Sequence, residues 1–362
     1  MNELTIQEFT SFDALASLRE EWNDLVRGEK YGPSQSYEWL STLWDVNAAN
    51  RKLLVLVVRD SQGITGIAPL VLEVERRKGM PARLLKMLSS FHSLHGTPLL
   101  LGRGKRDTME AIFEHLRRRQ ESWTIWFTLY EAGDAQETMF FSSLQEHGYP
   151  FSTTPEVQSP YQRIEETWEE KLKSLQPRFR TALRSREKRL REKGAVELRF
   201  LDSPAEWEQG LAAIREIEED SWKVETGTAI TVQDFQWQFY SRYAPIAAEM
   251  NTLRIPVLYV AGEPIAYDYA LYENGIYHLL KTSYKNKWHD SYPGFVLRKL
   301  LVEWTYAQGG REIDYLGKNE EWKMKWTNSL REHRNCFIFS RTLVARYLHG
   351  LHRAKTLLQR EG

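Results

Sequence analysis

Residues 277–297 read YHLLKTSYKNKWHDSYPGFVL, and this stretch decides the fold that the sequence predicts. His278 to Tyr284 reads as a strand, and Tyr292 to Leu297 reads as a loop that enters a helix. Proline at the first turn of a helix forfeits no hydrogen bond, and Gly294 lets a ligand approach the backbone closely. The free amides of such a helix start, at the positive end of the helix dipole, favour a pyrophosphate. A plain helix start that binds nothing fits the same Pro-Gly motif.

A carboxylate ends the next strand of this region. The strand Glu312 to Leu316 contains Asp314, and α/β sheets usually place their sites at strand ends. Asp314 is therefore a candidate to orient or deprotonate a nucleophile, while capping or pairing with a lysine explains it equally well. Lys323, in the segment Trp322 to Trp326, would suit an anionic substrate or a phosphate.

The order strand, helix, helix, hairpin occurs twice, offset by about 200 residues, which is the pattern of an internal repeat. The first copy comprises Leu4 to Phe9, Phe12 to Val26, Tyr37 to Trp44 and Leu53 to Leu72. The second comprises Val196 to Phe200, Pro204 to Trp222, Val232 to Tyr243 and Ile255 to Leu271. Strands and helices alternate in both halves, so the sequence predicts an α/β protein with mixed sheets. The predicted domains are residues 1–155 and 156–362, and the second includes a tail helix over Arg341 to Gln359.

A basic segment, Gln176 to Lys193, joins the two halves. It combines a helical spacing of apolar residues with many Arg and Lys residues, which predicts an amphipathic helix with a basic face. A solvated connecting helix is the plainer interpretation. A more specific interpretation is that the basic face of this helix binds phosphate or another anion beside the active cleft.

Composition disfavours several classes of function. Lys+Arg and Asp+Glu both number 49, so the formal net charge is zero and general nucleic-acid binding is not expected. Cys336 is the one cysteine, which excludes an internal disulfide and suits a reducing compartment. The sequence contains neither a serine-hydrolase elbow nor a nucleotide phosphate loop. His92 and His95 lack a carboxylate or cysteine at metal-like spacing, so no metal is expected.

The sequence predicts neither export nor a membrane span. Met1 to Phe12 contains Glu3 and Glu8 and lacks the apolar run of a secretory signal. No stretch approaches the roughly 18 uninterrupted apolar residues that a span needs. A cytoplasmic protein is therefore expected.

Several short motifs follow one another in a set order: Ser36 to Trp44, Gly66 to Leu70, Ser221-Trp222-Lys223, Gly262 to Ala266, Lys281 to Tyr284, Pro293-Gly294 and Ile313-Asp314. Together they resemble the CelD-like branch of the GNAT acetyltransferase superfamily, which is related to FemAB-like proteins. The resemblance covers nearly the whole chain. It implies tandem GNAT-like domains joined by the basic helix, the first predicted to be non-catalytic. It also implies an acyltransferase that uses acetyl-CoA or another acyl-CoA, and an association with exopolysaccharide or cellulose synthesis.

The resemblance also implies which residues hold the cofactor. Leu279, Leu280 and Lys281 fall on the strand that pairs with pantetheine in the superfamily. The helix start that takes the pyrophosphate falls on Pro293, Gly294, Phe295 and Val296. Where the superfamily commonly has Arg/Gln-x-x-Gly-x-Gly/Ala, this chain has Ser291 to Phe295.

The chemistry implied by the resemblance is attack of an amine on a thioester. The amine must arrive neutral, and the thioester oxygen must be stabilised as charge develops. Asp314 is the candidate base or orienting group, and backbone amides near Leu280 are candidates for the oxyanion site. The remaining catalytic candidates, which would position the substrate, are Lys281, Tyr284 and Tyr267, and the substrate-binding candidates are Trp222 and Lys323.

Three functions remain open from the sequence. The first is a CoA-dependent N-acyltransferase acting on a small amine or amino sugar. The second is FemAB-like transfer from aminoacyl-tRNA into a peptidoglycan precursor, which the basic helix fits but zero net charge does not favour. The third is a non-catalytic scaffold of a polysaccharide synthesis complex, which the departure from the usual phosphate loop would suit.

Overall fold

The computed structural model describes residues 3–29, 31–77, 79–89, 98–119, 122–133 and 136–358. His92 and His95 lie outside the described residues. The chain divides into two compact units: the first runs to Val157 and resumes at Glu332, and the second spans Gln158–Arg331. The domain boundary predicted after residue 155 lies close to the first division. The C-terminal segment, which the sequence assigned to the second domain, groups instead with the first unit.

The first unit contains an antiparallel sheet interrupted by one parallel pairing, between β4 and β6 among the described strands. Its strands are β1 (Thr5–Phe9), β2 (Lys52–Asp60), β3 (Gly63–Arg77), β4 (Met80–Met87), β5 (Leu100–Leu101), β6 (Ile125–Glu131), the first part of β7 (Phe151–Arg163) and most of β14 (Leu330–Phe339). Its helices are α1 (Arg19–Gly28), α2 (Tyr37–Asn47), α3 (Lys105–Arg118), α4 (Glu137–Glu146) and α12 (Leu343–Leu358). The strand order is β1-β2-β3-β4-β6-β14, and β5 pairs with β3.

Among the described residues of the first unit, two apolar clusters pack helices against the sheet. Helices α3 and α4 bury Phe113, Phe140 and Leu144 against the sheet, with Trp126 of β6 in the same cluster. On α12, Ala345 and Leu348 pack with Ala82, Leu84 and Phe339, which explains why the tail belongs to this unit. The tail helix that the sequence assigned to the second domain therefore packs on the first unit.

The second unit also has a mixed sheet. Its elements are the rest of β7, α5 (Trp168–Ser174), α6 (Pro177–Lys193), β8 (Val196–Phe200), α7 (Trp207–Glu219), α8 (Trp222–Glu225), α9 (Asp234–Glu249), β9 (Leu253–Arg254), β10 (Pro256–Val260), β11 (Glu263–Glu273), β12 (Ile276–Tyr284), α10 (Pro293–Ala307), β13 (Glu312–Asp314) and α11 (Glu321–Met324). The strand order is β7-β13-β12-β11-β10-β8, with β9 beside β11. Of these pairings in the described chain, β12 with β13 is parallel and the others are antiparallel.

Alternation along β11 assigns its side chains to two faces, because successive residues of a strand point in opposite directions. Ala266 and Ala270 pack in the cluster formed with α6 and α10. On the opposite face, Tyr267 contacts α7 and Tyr269 contacts α9. The two helix pairs therefore cover opposite faces of the sheet of this unit.

Two helix boundaries differ from the sequence prediction. The helix predicted from Pro204 to Trp222 is two helices, α7 and α8, and the one predicted to end at Tyr243 continues as α9 to Glu249. Pro245 lies inside α9, and a proline usually interrupts a helix. The small residues around it, Ala244, Ala247 and Ala248, are buried, so packing against the unit stabilises the turn that proline disfavours.

A buried ion pair fixes α10 on the sheet. Arg298 Nη2 donates a hydrogen bond to Asp268 Oδ1 over 2.8 Å, and Nη1 lies 2.8 Å from Oδ2. The Tyr277 hydroxyl donates to Asp268 Oδ2 over 2.9 Å. Because Arg298 and Asp268 are both essentially inaccessible, this contact sets the position of α10 along β11 and β12.

Candidate active site

The site is built where β12 and β13 separate. They pair in parallel only from Ile276 opposite Glu312 to His278 opposite Asp314. β13 then ends, whereas β12 continues to Tyr284 alongside β11. Within the described pairings, the second half of β12 therefore has a strand on one side only, and its other edge is free to bind an extended ligand.

A β-bulge lies in the middle of β12. The register steps from Lys281 opposite Tyr269 to Leu279 opposite Ala270, so Leu280 is the inserted residue. A bulge leaves the extra residue out of the regular ladder and turns its backbone groups away from the neighbouring strand. The sequence pointed to the amides near Leu280 as an oxyanion site, and the bulge lies at this residue.

A cavity of about 330 Å³ lies between the end of β12 and the start of α10. Thr282, Ser283 and Tyr284 of β12 line it, together with Gly294 and Phe295 of α10. The segments containing Trp222, Lys223, Glu320 and Trp322 close its other sides. Its volume is at the lower end of the range for small-molecule pockets, about 300–1,000 Å³, so it can hold one arm of a large cofactor.

Buried donors border this cavity without acceptors. Ser283 is 3% exposed, and its hydroxyl has no hydrogen-bond partner within the described residues. Arg298 is 2% exposed, and in the same part of the chain its Nε makes no hydrogen bond, while Nη1 and Nη2 face Asp268. A buried polar group without a partner costs free energy, so these donors favour a polar ligand in the cavity.

The start of α10 presents its backbone to the cavity. Tyr292 precedes the helix in the left-handed conformation, with φ 52°, and no side chain caps the helix. Pro293 is buried at the first turn. A Cβ added to Gly294 would lie 3.5 Å from the Tyr284 ring, an ordinary contact. Because Gly294 has no side chain, it leaves the backbone of the first turn of α10 exposed to the cavity.

Cations surround the start of α10. The Arg186 guanidinium of α6 lies 4.1 Å from the centre of the Tyr292 ring and 4.4 Å from that of Phe295. Its buried Nη1 has no hydrogen-bond partner within the described residues, and burial lowers the pKa of Arg186. Lys193 donates to the Ser291 hydroxyl over 2.8 Å, and Lys325 lies 5.5 Å from the Phe295 ring centre. Together with the helix dipole, these charges make an anion favourable here.

Two lysines with lowered pKa values lie beside the cavity. Lys223 lines it and donates to the Thr282 carbonyl oxygen, and burial lowers the pKa of its amine. Burial, together with the positive charge of Lys223, lowers the pKa of Lys281 to about 8. Burial therefore favours the neutral form of both amines, and a neutral amine can accept a proton.

Tyr267 and Glu218 form a buried pair on the α7 side of the sheet. The Tyr267 hydroxyl donates to Glu218 Oε1 over 2.6 Å, and Glu218 Oε2 accepts from the Ile230 amide over 3.1 Å. Burial raises the pKa of Tyr267 well above its usual value. The hydroxyl of Tyr267 therefore stays protonated and is occupied by Glu218.

Asp314 and Lys323, two of the residues singled out from the sequence, have internal partners. Asp314 is fully buried, its Oδ1 accepts from the Leu316 amide over 2.9 Å, and its Oδ2 lies 3.7 Å from Arg331 Nη1. Lys323 is buried, donates to the carbonyls of Leu316 and Lys318, and pairs with Glu320 at 3.1 Å. Both side chains hold the loop that follows β13.

The structure brings together some of the predicted site residues. Trp222, Tyr284, Gly294 and Phe295 all line the cavity, and Pro293 adjoins it at the helix start. The residues that do not line this cavity are Tyr267, Leu279, Leu280, Lys281, Val296, Asp314 and Lys323. Sequence reasoning missed Glu218 and Arg298. It noted Lys223 and Ser283 only within motifs, and Arg186 only as part of the basic helix. One weak indication of Glu218 and Arg298 was present in the sequence: each is a charged residue on the otherwise apolar face of a helix.

The described residues contain neither a metal-binding cluster nor a membrane-spanning helix. Among the described residues, no three or more His, Cys, Asp or Glu side chains are grouped as they would be around a metal ion. No helix in the described part of the chain combines the length and apolar character that crossing a membrane requires.

Residues 177–324 match the family model described as an acetyltransferase (GNAT) domain. The match begins at α6 and ends in α11, so it contains β12, the bulge and the start of α10. No curated protein is significantly similar to the chain in sequence.

Two solved structures have the same overall fold as this chain. A tandem GNAT protein from the clavulanic acid biosynthesis pathway is 14% identical, with a TM-score of 0.51, over 92% of this chain and 98% of that chain. L-PGS from Bacillus licheniformis is 15% identical, with a TM-score of 0.51, over 91% of this chain and 95% of that chain. At such identities the likeness shows the fold alone. The predicted mixed α/β fold of tandem GNAT type is confirmed, and the fold and the family match support an acyltransferase.

Proposed function

We propose that the second unit is an acyl-CoA-dependent N-acyltransferase that transfers an acyl group, such as acetyl, to an amine of a small metabolite or amino sugar. The observation that carries this proposal is the cavity between the end of β12 and the bare start of α10. Its lining offers a free strand edge, a helix N-terminus and buried donors, which are the groups that an amide-containing arm with a diphosphate needs.

The cofactor would lie along β12 with its diphosphate at the start of α10. Arg186 stands over Tyr292 and Phe295 with a free donor, so it can pair with a phosphate oxygen. The pantetheine amides would bond to the open edge of β12. The cavity volume admits this arm and the acyl group, while the nucleotide would extend over the surface between α6 and α10.

The reaction would form a C–N bond and break the C–S bond of the thioester. The neutral amine attacks the carbonyl carbon, negative charge develops on the carbonyl oxygen, and the amide of the bulged Leu280 would stabilise that charge. The thiolate then leaves and the amine loses a proton. Lys223, which lines the cavity, would accept that proton in its neutral form.

The other residues singled out from the sequence take supporting roles in this proposal. Lys281 would position the substrate beside Lys223, and burial together with the charge of Lys223 lowers the pKa of Lys281 to about 8. Asp314 acts as an orienting group through the loop after β13. Tyr284 and Trp222 border the acceptor end of the cavity, and Lys323 holds Glu320 in its wall. Membership in the CelD-like branch and a role in polysaccharide synthesis rest on motif order alone.

Release of CoA thiol from acetyl-CoA, measured over a panel of small amines and amino sugars, tests the proposal. At least one amine should stimulate release, and Lys223→Met should abolish the stimulation while Lys318→Met, an exposed control, should leave it intact. Acyl-CoA binding without acceleration by any amine would contradict transfer to amines. Equal activity of Lys223→Met and the unaltered protein would contradict the proposed base.

A second candidate function is transfer from aminoacyl-tRNA. The exposed face of α6 carries Arg178, Arg184 and Arg189, which make no ion pair or hydrogen bond through their side chains within the described residues. Such a row suits a polyanion, whose affinity depends mainly on phosphate contacts. Retention of labelled aminoacyl-tRNA that falls on replacing these three arginines with glutamine, without any acetyl-CoA binding, would favour this function over the first.

A further inference from the structure

A second cavity, of about 790 Å³, lies within the second unit. It is lined by the Gln158–Arg331 part of β7, by α5, by the start of α6 and by residues 321–329. It shares no lining residue with the cavity at the start of α10. Its volume falls in the range of pockets that bury a whole small molecule. The proposed acyl-CoA site does not use it.

Lys171 of α5 brings a positive charge to this second cavity. Its amine makes no hydrogen bond or ion pair in the part of the chain that the structure describes. The neighbouring cation Lys325 lies 3.1 Å from Glu321, an exposed residue that also lines the cavity. Glu165 also lines the cavity but is exposed on the rim, where water screens its charge. An anionic group placed against Lys171 would therefore meet a cation that makes no direct ion pair within the described residues, the attraction of Glu166 acting from beyond ion-pair distance.

Free hydrogen-bonding groups accompany Lys171. The exposed side-chain amides of Gln176 and Asn328 line the cavity and make no side-chain hydrogen bond within the described residues. Trp326 is 1% exposed, and its Nε1 donor has no acceptor in the same residues. By contrast, Gln162 is already bonded to Tyr306 and Tyr315. The cavity groups that make no hydrogen bond within the described residues offer mainly N–H donors, which match the acceptors of an oxygen-rich ligand.

We propose that this second cavity binds an oxygen-rich anion of the size of a monosaccharide or disaccharide, and that Lys171 holds the anionic group of that ligand. A carboxylate and a phosphate ester offer the same chemistry to the lysine. The ring of Phe179, which lines this cavity, lies 5.8 Å from that of Phe295, which lines the first cavity. The ligand would therefore bind one aromatic layer away from the acyl-CoA site, and its binding does not require acyl-CoA.

Calorimetric titration at neutral pH and low ionic strength, where an ion pair is least screened, tests this proposal. The probes are D-glucuronate, D-glucose 6-phosphate and inorganic phosphate, with D-glucose as the neutral control. At least one of the two anionic sugars should bind more tightly than glucose. Their relative affinities then tell whether the anionic group is a carboxylate or a phosphate.

Variants at two lysines of α5 provide the matched comparison. Lys171→Gln should weaken binding of the preferred sugar at least about tenfold, as expected for loss of a charged hydrogen bond. Lys173→Gln removes the same charge from an exposed position on the same helix and should bind like the unaltered protein. Lys171→Arg should retain binding, and unchanged thermal unfolding of Lys171→Gln shows that the variant is folded. Binding of neither sugar, binding of inorganic phosphate alone, or equal binding by Lys171→Gln would overturn the proposal.

Discussion

The guanidinium carbon of Arg186 lies 4.1 Å from the centre of the Tyr292 ring, at the residue that precedes α10. The same group lies 4.4 Å from the Phe295 ring, so two aromatic side chains hold it beside the open helix start. A guanidinium held by stacking keeps its N–H donors available to a ligand. This contact therefore links the basic helix α6 to the cavity.

Replacing Arg186 should weaken acetyl-CoA binding without unfolding the protein. Arg186→Gln removes a charge-assisted hydrogen bond to the diphosphate, which corresponds to about tenfold or more in affinity. Arg189→Gln, an exposed arginine on the same helix, is the control and should bind normally. Fluorescence titration with a labelled CoA checks both variants. Equal weakening of the two would mean that only general electrostatic attraction is involved.

Stability should rise with pH through the region in which Lys281 titrates. The unfolded chain holds this proton up to a pKa of 10.5, whereas the folded protein holds it only up to about 8. Between these values the unfolded state binds more protons, so the free energy of unfolding increases as pH rises. The contribution is at most about 3 kcal/mol.

Urea unfolding at a series of alkaline pH values measures this contribution. Lys281→Met should show a flatter dependence of stability on pH than the unaltered protein. Lys318→Met, which removes an exposed lysine, should follow the unaltered profile. Parallel profiles for Lys281→Met and the unaltered protein would show that Lys281 does not titrate abnormally.

Breaking the ion pair between Arg298 and Asp268 should be costly. Arg298→Met leaves the Asp268 carboxylate buried without its cation, at a cost of about 3–5 kcal/mol. Adding Asp268→Asn removes the buried charge and keeps an acceptor for the Tyr277 hydroxyl, so the double variant should recover much of the loss. Chemical denaturation of the single and double variants measures the coupling. A loss below about 1 kcal/mol for Arg298→Met would contradict the role assigned to this pair.

Close packing of α7 predicts a large effect of a small substitution. A Cβ at Gly210 would lie 2.4 Å from the Leu201 carbonyl oxygen and 2.9 Å from Ile255 Cδ1. Gly210→Ala should therefore destabilise the protein by about 1–3 kcal/mol despite the better helix propensity of alanine. Gly28→Ala, at a helical position with no atom within 4 Å, is the control and should be neutral or slightly stabilising. Similar thermal stability of both variants would be inconsistent with this packing.

Local patterns in the sequence were sufficient to place the elements that carry the site. The apolar run before Tyr284 and the Pro-Gly pair at residues 293–294 predicted the strand and the helix start, because both signals depend on neighbouring residues. The packing of α12 on the first unit was not predictable, since the apolar side chains of a tail helix can pack on either unit.

Long-range pairs account for most of what the sequence did not reveal. Arg298 and Asp268 are distant in the chain, and so are Tyr267 and Glu218, and a single sequence does not show which charges meet. Asp314 was singled out because it ends a strand, yet its partners, the Leu316 amide and Arg331, lie in the following loop and in another strand. Periodicity therefore predicted the framework, whereas the polar interior became visible only in the folded structure.

Calorimetric titration of acetyl-CoA into Gly294→Glu, Gly294→Gln and the unaltered protein tests whether the start of α10 receives the diphosphate. A carboxylate near a helix N-terminus stabilises the helix, so Gly294→Glu should remain folded while repelling a diphosphate. We expect binding by the unaltered protein, weaker binding by Gly294→Gln and none by Gly294→Glu. Absence of binding to the unaltered protein, or equal affinity of all three proteins, would contradict an acyl-CoA site at the start of α10.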